Sequence, residues 1–171
     1  MTTTDGTRHS PQPRSVGGFT IHPDVPEIDA VRSAFEALQA DDPRQWGTMT
    51  AAQMAEHIAR FNEIYLGRIK VGGIMGVLAT LIGKPFIRRF LAGSPFEMKR
   101  GMGTIPAIRI ENAVDEAAFE DARARILSTF EEIEARSGEW DHPLYGKLPA
   151  EAAKALARHH AAHHLRQFGR L

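Results

Sequence analysis

The sequence predicts an all-α protein, a four-helix bundle with one long crossover. Three observations carry that expectation. Four segments repeat an apolar residue every three or four positions, the period of a half-buried helix. Start and stop residues bound them. No segment alternates cleanly enough for a strand; Thr104 to Ile110 does so weakly, and Pro106 interrupts it.

The first helix is expected from Pro26 to Ala40, with Ile28, Val31, Phe35 and Leu38 on its stripe. Pro26 suits a first helical turn, and Asp41-Asp42-Pro43 ends the segment. The second runs from Ala51 to Lys70, opened by the capping-box pair Thr50 and Gln53 and stopped by Gly72-Gly73. Its stripe of Met54, His57, Ile58, Phe61, Ile64, Tyr65 and Arg68 puts His57 in the buried seam. The third spans Asp115 to Arg136, with Phe119, Ala122, Ile126, Phe130 and Ile133 inward and Gly138 past its end. Asp115, Glu116 and Glu120 lie near its positive end, where the helix dipole favours them. The fourth begins at Pro149 and reaches Phe168. Between the second and third, Val71 to Val114 form a long connection. It is expected to hold one or two short helices, around Ile74–Ile82 and Pro85–Leu91, then an extended crossing segment.

At 171 residues the chain reads as one domain, residues 19–171, behind a disordered lead-in at 1–18. That lead-in is rich in Thr, Ser, Pro and Gly and has no apolar run of the kind a signal peptide needs; His9 within it is expected to be solvated. Lys plus Arg equals Asp plus Glu, 21 against 21, so neither nucleic acid nor a membrane is an expected partner. The most apolar stretch, Ile74 to Leu91, is broken by Gly76, Gly83, Lys84, Pro85, Arg88 and Arg89, and a membrane span would not be. A cytoplasmic location is the default expectation. There is no cysteine, which excludes disulfides, thiolate metal sites and cysteine nucleophiles; thiol chemistry would need a sulfur carried by a substrate.

Half of the eight histidines fall between His159 and His164. With Leu156 at zero on a wheel of about 100° per residue, the apolar residues of the last helix fill an arc from 0° to about 180°. His160 lands near 40° and His164 near 80°, inside the arc, whereas His163 and His159 fall near −20° and −60°. The wheel therefore selects His160 and His164 as the inward pair, four residues apart on one face. Together with His57 they make a candidate three-nitrogen site for Zn, Ni or Fe, with an open place for substrate. A metal there would activate water or a thiol, or polarise a carbonyl. The alternatives are a hydrogen-bonded core histidine at 57 and a surface patch near the C-terminus.

Several of these residues resemble a known family. His160-Ala161-Ala162-His163-His164-Leu165-Arg166-Gln167-Phe168-Gly169 is similar to the closing motif of an uncharacterised branch of the DinB/YfiT-like superfamily. Trp46-Gly47-Thr48-Met49-Thr50 through His57 resembles that family's tryptophan-glycine opening and first ligand helix, and His142 to Leu148 its turn before the last helix. The resemblance spans Ile21 to Gly169 and implies an up-down-down-up four-helix bundle, often a homodimer. It also implies a divalent metal held by His57, His160 and His164. Characterised relatives include thiol-dependent transferases and isomerases, so the implied activity is a metal-dependent transfer between a low-molecular-weight thiol and a small electrophile. Ala153 and Ala162 stand where that family often has an aromatic residue and a carboxylate, and Pro149 where it has a Ser or Thr cap. The partners that orient the ligand imidazoles are thus left unassigned.

Among the remaining residues, His163 is either a partner of the ligand set, a proton shuttle to substrate, or a solvated edge histidine. Trp46 either stacks on a ligand or wedges the start of the second helix. Lys99 and Arg100, before Gly101-Met102-Gly103, would grip an anionic substrate if this connection covers the site, and are otherwise a solvated basic loop. Arg166 and Gln167 are expected to brace the helix end, and His142-Pro143 to form a turn. Two other functions remain open. One is a non-catalytic metal- or ligand-binding stress or dimerisation bundle using Ile74 to Leu91 as its partner surface. The other is metal-dependent hydrolysis with Glu56 as base, although its place beside His57 points it away from the seam.

Overall fold

Five helices and two small antiparallel sheets make up the described residues of the protein. The structure is a computed structural model that describes residues 12–71, 74–101 and 103–171, with the side chains of 74–82 outside that description. The helices are α1 (Ile28–Ala37), α2 (Ala51–Tyr65), α3 (Ile74–Ala92), α4 (Glu116–Glu134) and α5 (Ala150–Arg166). Strands β1 (Arg14–Val16) and β2 (Phe19–Ile21) pair, as do β3 (Glu139–His142) and β4 (Gly146–Pro149). The described residues are helix-rich as expected, with five helices, and the two small sheets correct the all-α expectation.

Within the expected disordered lead-in, residues 14–18 instead belong to the first hairpin, while residues 1–11, with His9, lie outside the described residues. Gly17 and Gly18, both at positive φ, make its two-residue turn. Val16 pairs with Phe19 across it, and Phe19 and Ile21 are buried in the main core. The second hairpin buries Trp140 and His142 on one face, so His142 ends a strand and lies in the interior.

Thr50 Oγ1 accepts from the Gln53 amide at 3.1 Å while Gln53 Oε1 accepts from the Thr50 amide at 3.0 Å, completing the expected capping box. At its other end α2 stops five residues before Lys70. Arg68 N–H donates to the Glu63 carbonyl at 2.8 Å and Gly67 N–H to the Ile64 carbonyl at 3.0 Å, the paired closure of a Schellman motif. In α4 the Asp115 carboxylate caps the first turn, accepting from Ala118 N–H at 2.8 Å. Where one or two short helices were expected, the connection forms one 19-residue helix that runs through Pro85. A proline costs an interior helix one hydrogen bond and crowds the preceding turn, and buried Ile87 and Leu91 hold the helix in the core beyond it.

Helix α5 occupies the centre. It touches α1, α2, α3, the first hairpin and both strands of the second. Seven alanines let these neighbours approach closely, and only Glu151, His160 and Arg166 along its length are not buried. Pro149 offers no side-chain cap; the first amide of the helix, on Ala150, donates instead to the Gly138 carbonyl at 2.8 Å. After α3 the chain makes a 3-10 turn at Pro95–Glu97 against α5 and another at Pro106–Ile108 against α2, crossing from one helix to the other between them. No helix among the described residues is long and apolar enough to cross a membrane.

Candidate metal centre

The capping box fixes where α2 begins, and two turns later its inward stripe carries His57. Helix α5 carries His160 and His164 one turn apart. Their ring nitrogens meet: Nε2 of His160 lies 3.4 Å from Nε2 of His57 and 3.1 Å from Nε2 of His164. One nitrogen from each ring falls within 4.8 Å of the others, and among the described residues these three side chains form the group able to hold a metal ion. Two metal–nitrogen bonds of 2.0–2.1 Å at a tetrahedral angle would separate their nitrogens by about 3.3–3.4 Å, and somewhat less at a smaller angle. The two separations from His160 match nitrogens that share one ion.

Hydrogen bonding on the far side of two rings fixes their tautomers. Nδ1 of His57 lies 2.8 Å from the Ile108 carbonyl, which can only accept, so this nitrogen carries the proton. Nδ1 of His164 donates likewise to Oε1 of Gln167 at 2.9 Å. Both Nε2 atoms are therefore bare lone pairs aimed at the centre, as metal-ligating imidazoles require. Nδ1 of His160 is buried without a partner.

Burial lowers the pKa of all three rings. His57 is held below its ordinary value by desolvation, partly offset by the Ile108 carbonyl. His160 and His164 lie well below theirs, first through desolvation and then through the positive charge a neighbouring imidazolium would bring. Near pH 7 the rings are neutral, and neutral imidazole is the ligating form. His160 is the partly exposed member, and the Phe61 ring lies 3.9 Å from its own, centroid to centroid.

The other sequence candidates lie outside this convergence. His163 is buried, which corrects the solvated-edge expectation; it contacts Trp46 edge-on at 5.1 Å and stands beside His164. His159, also placed outside the apolar arc, is fully buried and donates through Nε2 to the Gly93 carbonyl at 3.0 Å. The wheel failed for both because α5 is covered on every side. Lys99 and Arg100 are exposed, and the Arg100 guanidinium rests 4.8 Å from the Trp46 ring centroid. Glu56 is ion-paired to Arg60 at 2.7 Å and to Arg125, so its carboxylate is not turned to the centre. The sequence reading missed the Ile108 carbonyl and assigned Gln167 only to bracing. Sequence holds no signal for the first, a backbone atom; the signal for the second was its place three residues after the candidate ligand His164.

Two surface cavities lie elsewhere. One of about 390 Å³ is bordered by Glu56, Arg60, Arg109 and Arg125; another of about 320 Å³ lies by Tyr65, Arg136 and Trp140. No triad histidine lines either.

These features define a helix-rich protein with a buried all-imidazole group that could hold a metal ion. The chain belongs to the family described as "Protein of unknown function (DUF1569)", whose model matches residues 22–170. No curated protein and no solved structure matches it.

Proposed function

We propose that this chain is a divalent-metal protein in which His57, His160 and His164 hold one Zn, Ni or Fe ion, with a further coordination place toward the exposed edge of His160. The observation that carries this reading is the meeting of three Nε2 atoms while the Nδ1 protons of His57 and His164 are engaged behind them. A bound ion would supply Lewis acidity toward a thiol, a water or a carbonyl. The chain's own residues do the rest. Ile108 and Gln167 orient two ligands, and Phe61 beside His160 limits water at the approach.

The pairwise packing of α1 with α4 and α5, and of α2 with α4 and α5, supports a DinB/YfiT-like four-helix bundle with α3 in the crossover. On that resemblance the activity is transfer or isomerisation using a low-molecular-weight thiol and a small electrophile, in a homodimer. Lys99 and Arg100 would meet an anionic group of the substrate.

Elemental analysis of protein purified without a histidine tag tests the metal. About one ion per chain is expected, lost in His57→Ala and in His164→Ala; an absence of stoichiometric metal in the parent protein overturns the reading. Turnover of thiol with a panel of electrophiles, abolished in His160→Ala, tests the chemistry. A second reading, a non-catalytic metal-binding bundle, is favoured by the two cavities lying away from the triad. Stoichiometric metal without turnover across the panel would support it.

A further inference from the structure

The tryptophan-glycine segment before α2 and the glutamine-phenylalanine-glycine end of α5 are far apart in sequence, and of the two the metal reading uses only Gln167. In the structure they clasp. Gln45 N–H donates to the Gln167 carbonyl at 2.6 Å. Gly47 sits at φ +88, a conformation side chains disfavour, and a Cβ there would lie 3.0 Å from Nε2 of Gln167. Gln45 in turn covers Gly169, where an added Cβ would lie 2.4 Å from its Nε2. The Gln167 side chain is thus buried, with its nitrogen beside the Gly47 backbone and its oxygen 2.9 Å from Nδ1 of His164.

An amide can meet an imidazole in two ways. Its oxygen can accept from Nδ1–H, or its NH₂ can donate to a bare Nδ1. Only the first leaves the lone pair on Nε2, where the other two rings converge. Resting on the proposed metal reading, we infer that Gln167 is the positioning residue that fixes the ligating tautomer of His164, and that the Gln45–Gly47 segment acts on the centre by holding that amide oxygen toward the ring. The clasp gives residues that touch no ligand nitrogen a defined influence on metal affinity, through one side chain.

Two measurements test this. In metal-free protein at pH 7.5, long-range proton–nitrogen correlation spectra report which nitrogen of His164 is protonated; in parallel, zinc is titrated against a chromophoric chelator. The parent protein and Gln167→Glu, whose carboxylate can only accept, are expected to show the Nδ1–H form and tight zinc binding. Gln167→Leu is expected to shift His164 toward the Nε2–H form and to weaken zinc by about 10–100-fold, the usual cost of losing such a partner. Gly47→Ala should move both readouts the same way by less. A Gln167→Leu protein that keeps both the Nδ1–H form and the parent affinity overturns the inference, whatever its thermal stability. If the tautomer shifts as stated but no variant, the parent included, binds zinc, the positioning role stands and the metal reading falls.

Discussion

His57 and His142 are both buried imidazoles whose Nδ1 meets a backbone group, yet they end as opposite tautomers. His57 Nδ1 faces the Ile108 carbonyl and must donate, so its Nε2 is a bare lone pair. His142 Nδ1 lies 3.1 Å from the Leu144 N–H and must accept, so its proton sits on Nε2, buried without a partner. Burial keeps both neutral, in His142 so strongly that its pKa falls to about 3. Aromatic rings of Tyr65, Trp140 and Tyr145 surround the second; two further imidazoles meet the first. Burial and residue type therefore do not decide which nitrogen is left bare. The polarity of the group behind the ring does.

The sharpest way to break this contrast is to add metal. Zinc at a thousandfold excess over its dissociation constant should stabilise the parent protein by about 4 kcal/mol, read from denaturant melts with and without the ion. His164→Ala should lose that gain and His142→Phe should keep it; equal loss in both would dissolve the distinction.

A smaller effect should separate the two regions by pH in metal-free protein. The unfolded chain protonates residue 142 near pH 6.5, while the folded chain resists until about pH 3. Below pH 6.5 the unfolded state therefore binds more protons, and stability falls as pH falls. Between pH 7 and pH 5 His142 alone should cost roughly 2 kcal/mol, measured as the drop in urea stability that His142→Phe removes. Above pH 6.5 this contribution should vanish, and a His142→Phe profile as steep as the parent's would count against the assignment.

The smallest expected change lies in the scaffold both rings share. Thr50→Ala removes one half of the capping box at the start of α2 and should lower stability by about 1 kcal/mol while leaving metal stoichiometry intact. A loss of metal in that variant would mean that His57 depends on the helix end more than on Ile108.

What could be read in advance follows the same division between side chain and surroundings. Periodicity and a capping pair located α2, placed His57 on its inner face, and singled out His160 and His164 on α5. The same wheel misplaced His159 and His163, since a wheel assumes one wet face and α5 has none. Strands of three and four residues were too short to show alternation, and one of them, β1, lay in the glycine-ended stretch that resembled a flexible lead-in. Pro85 looked like a break because local preference opposes proline within a helix; burial of Ile87 and Leu91 outweighs it. The orienting partners were hidden for another reason. The acceptor of His57 is main chain, 51 residues away, and only the folded path of the connection brings it there.

That carbonyl sets how the centre can change over time. An amide oxygen of the main chain survives nearly any exchange of side chain at 108, so the support behind His57 is insensitive to most point mutations and yields only to a shift in the path of the turn. The support behind His164 is a single side chain, open to loss in one step. Sequence drift should therefore erode this centre from the α5 side first, leaving His57 oriented long after its opposite number has been freed to rotate.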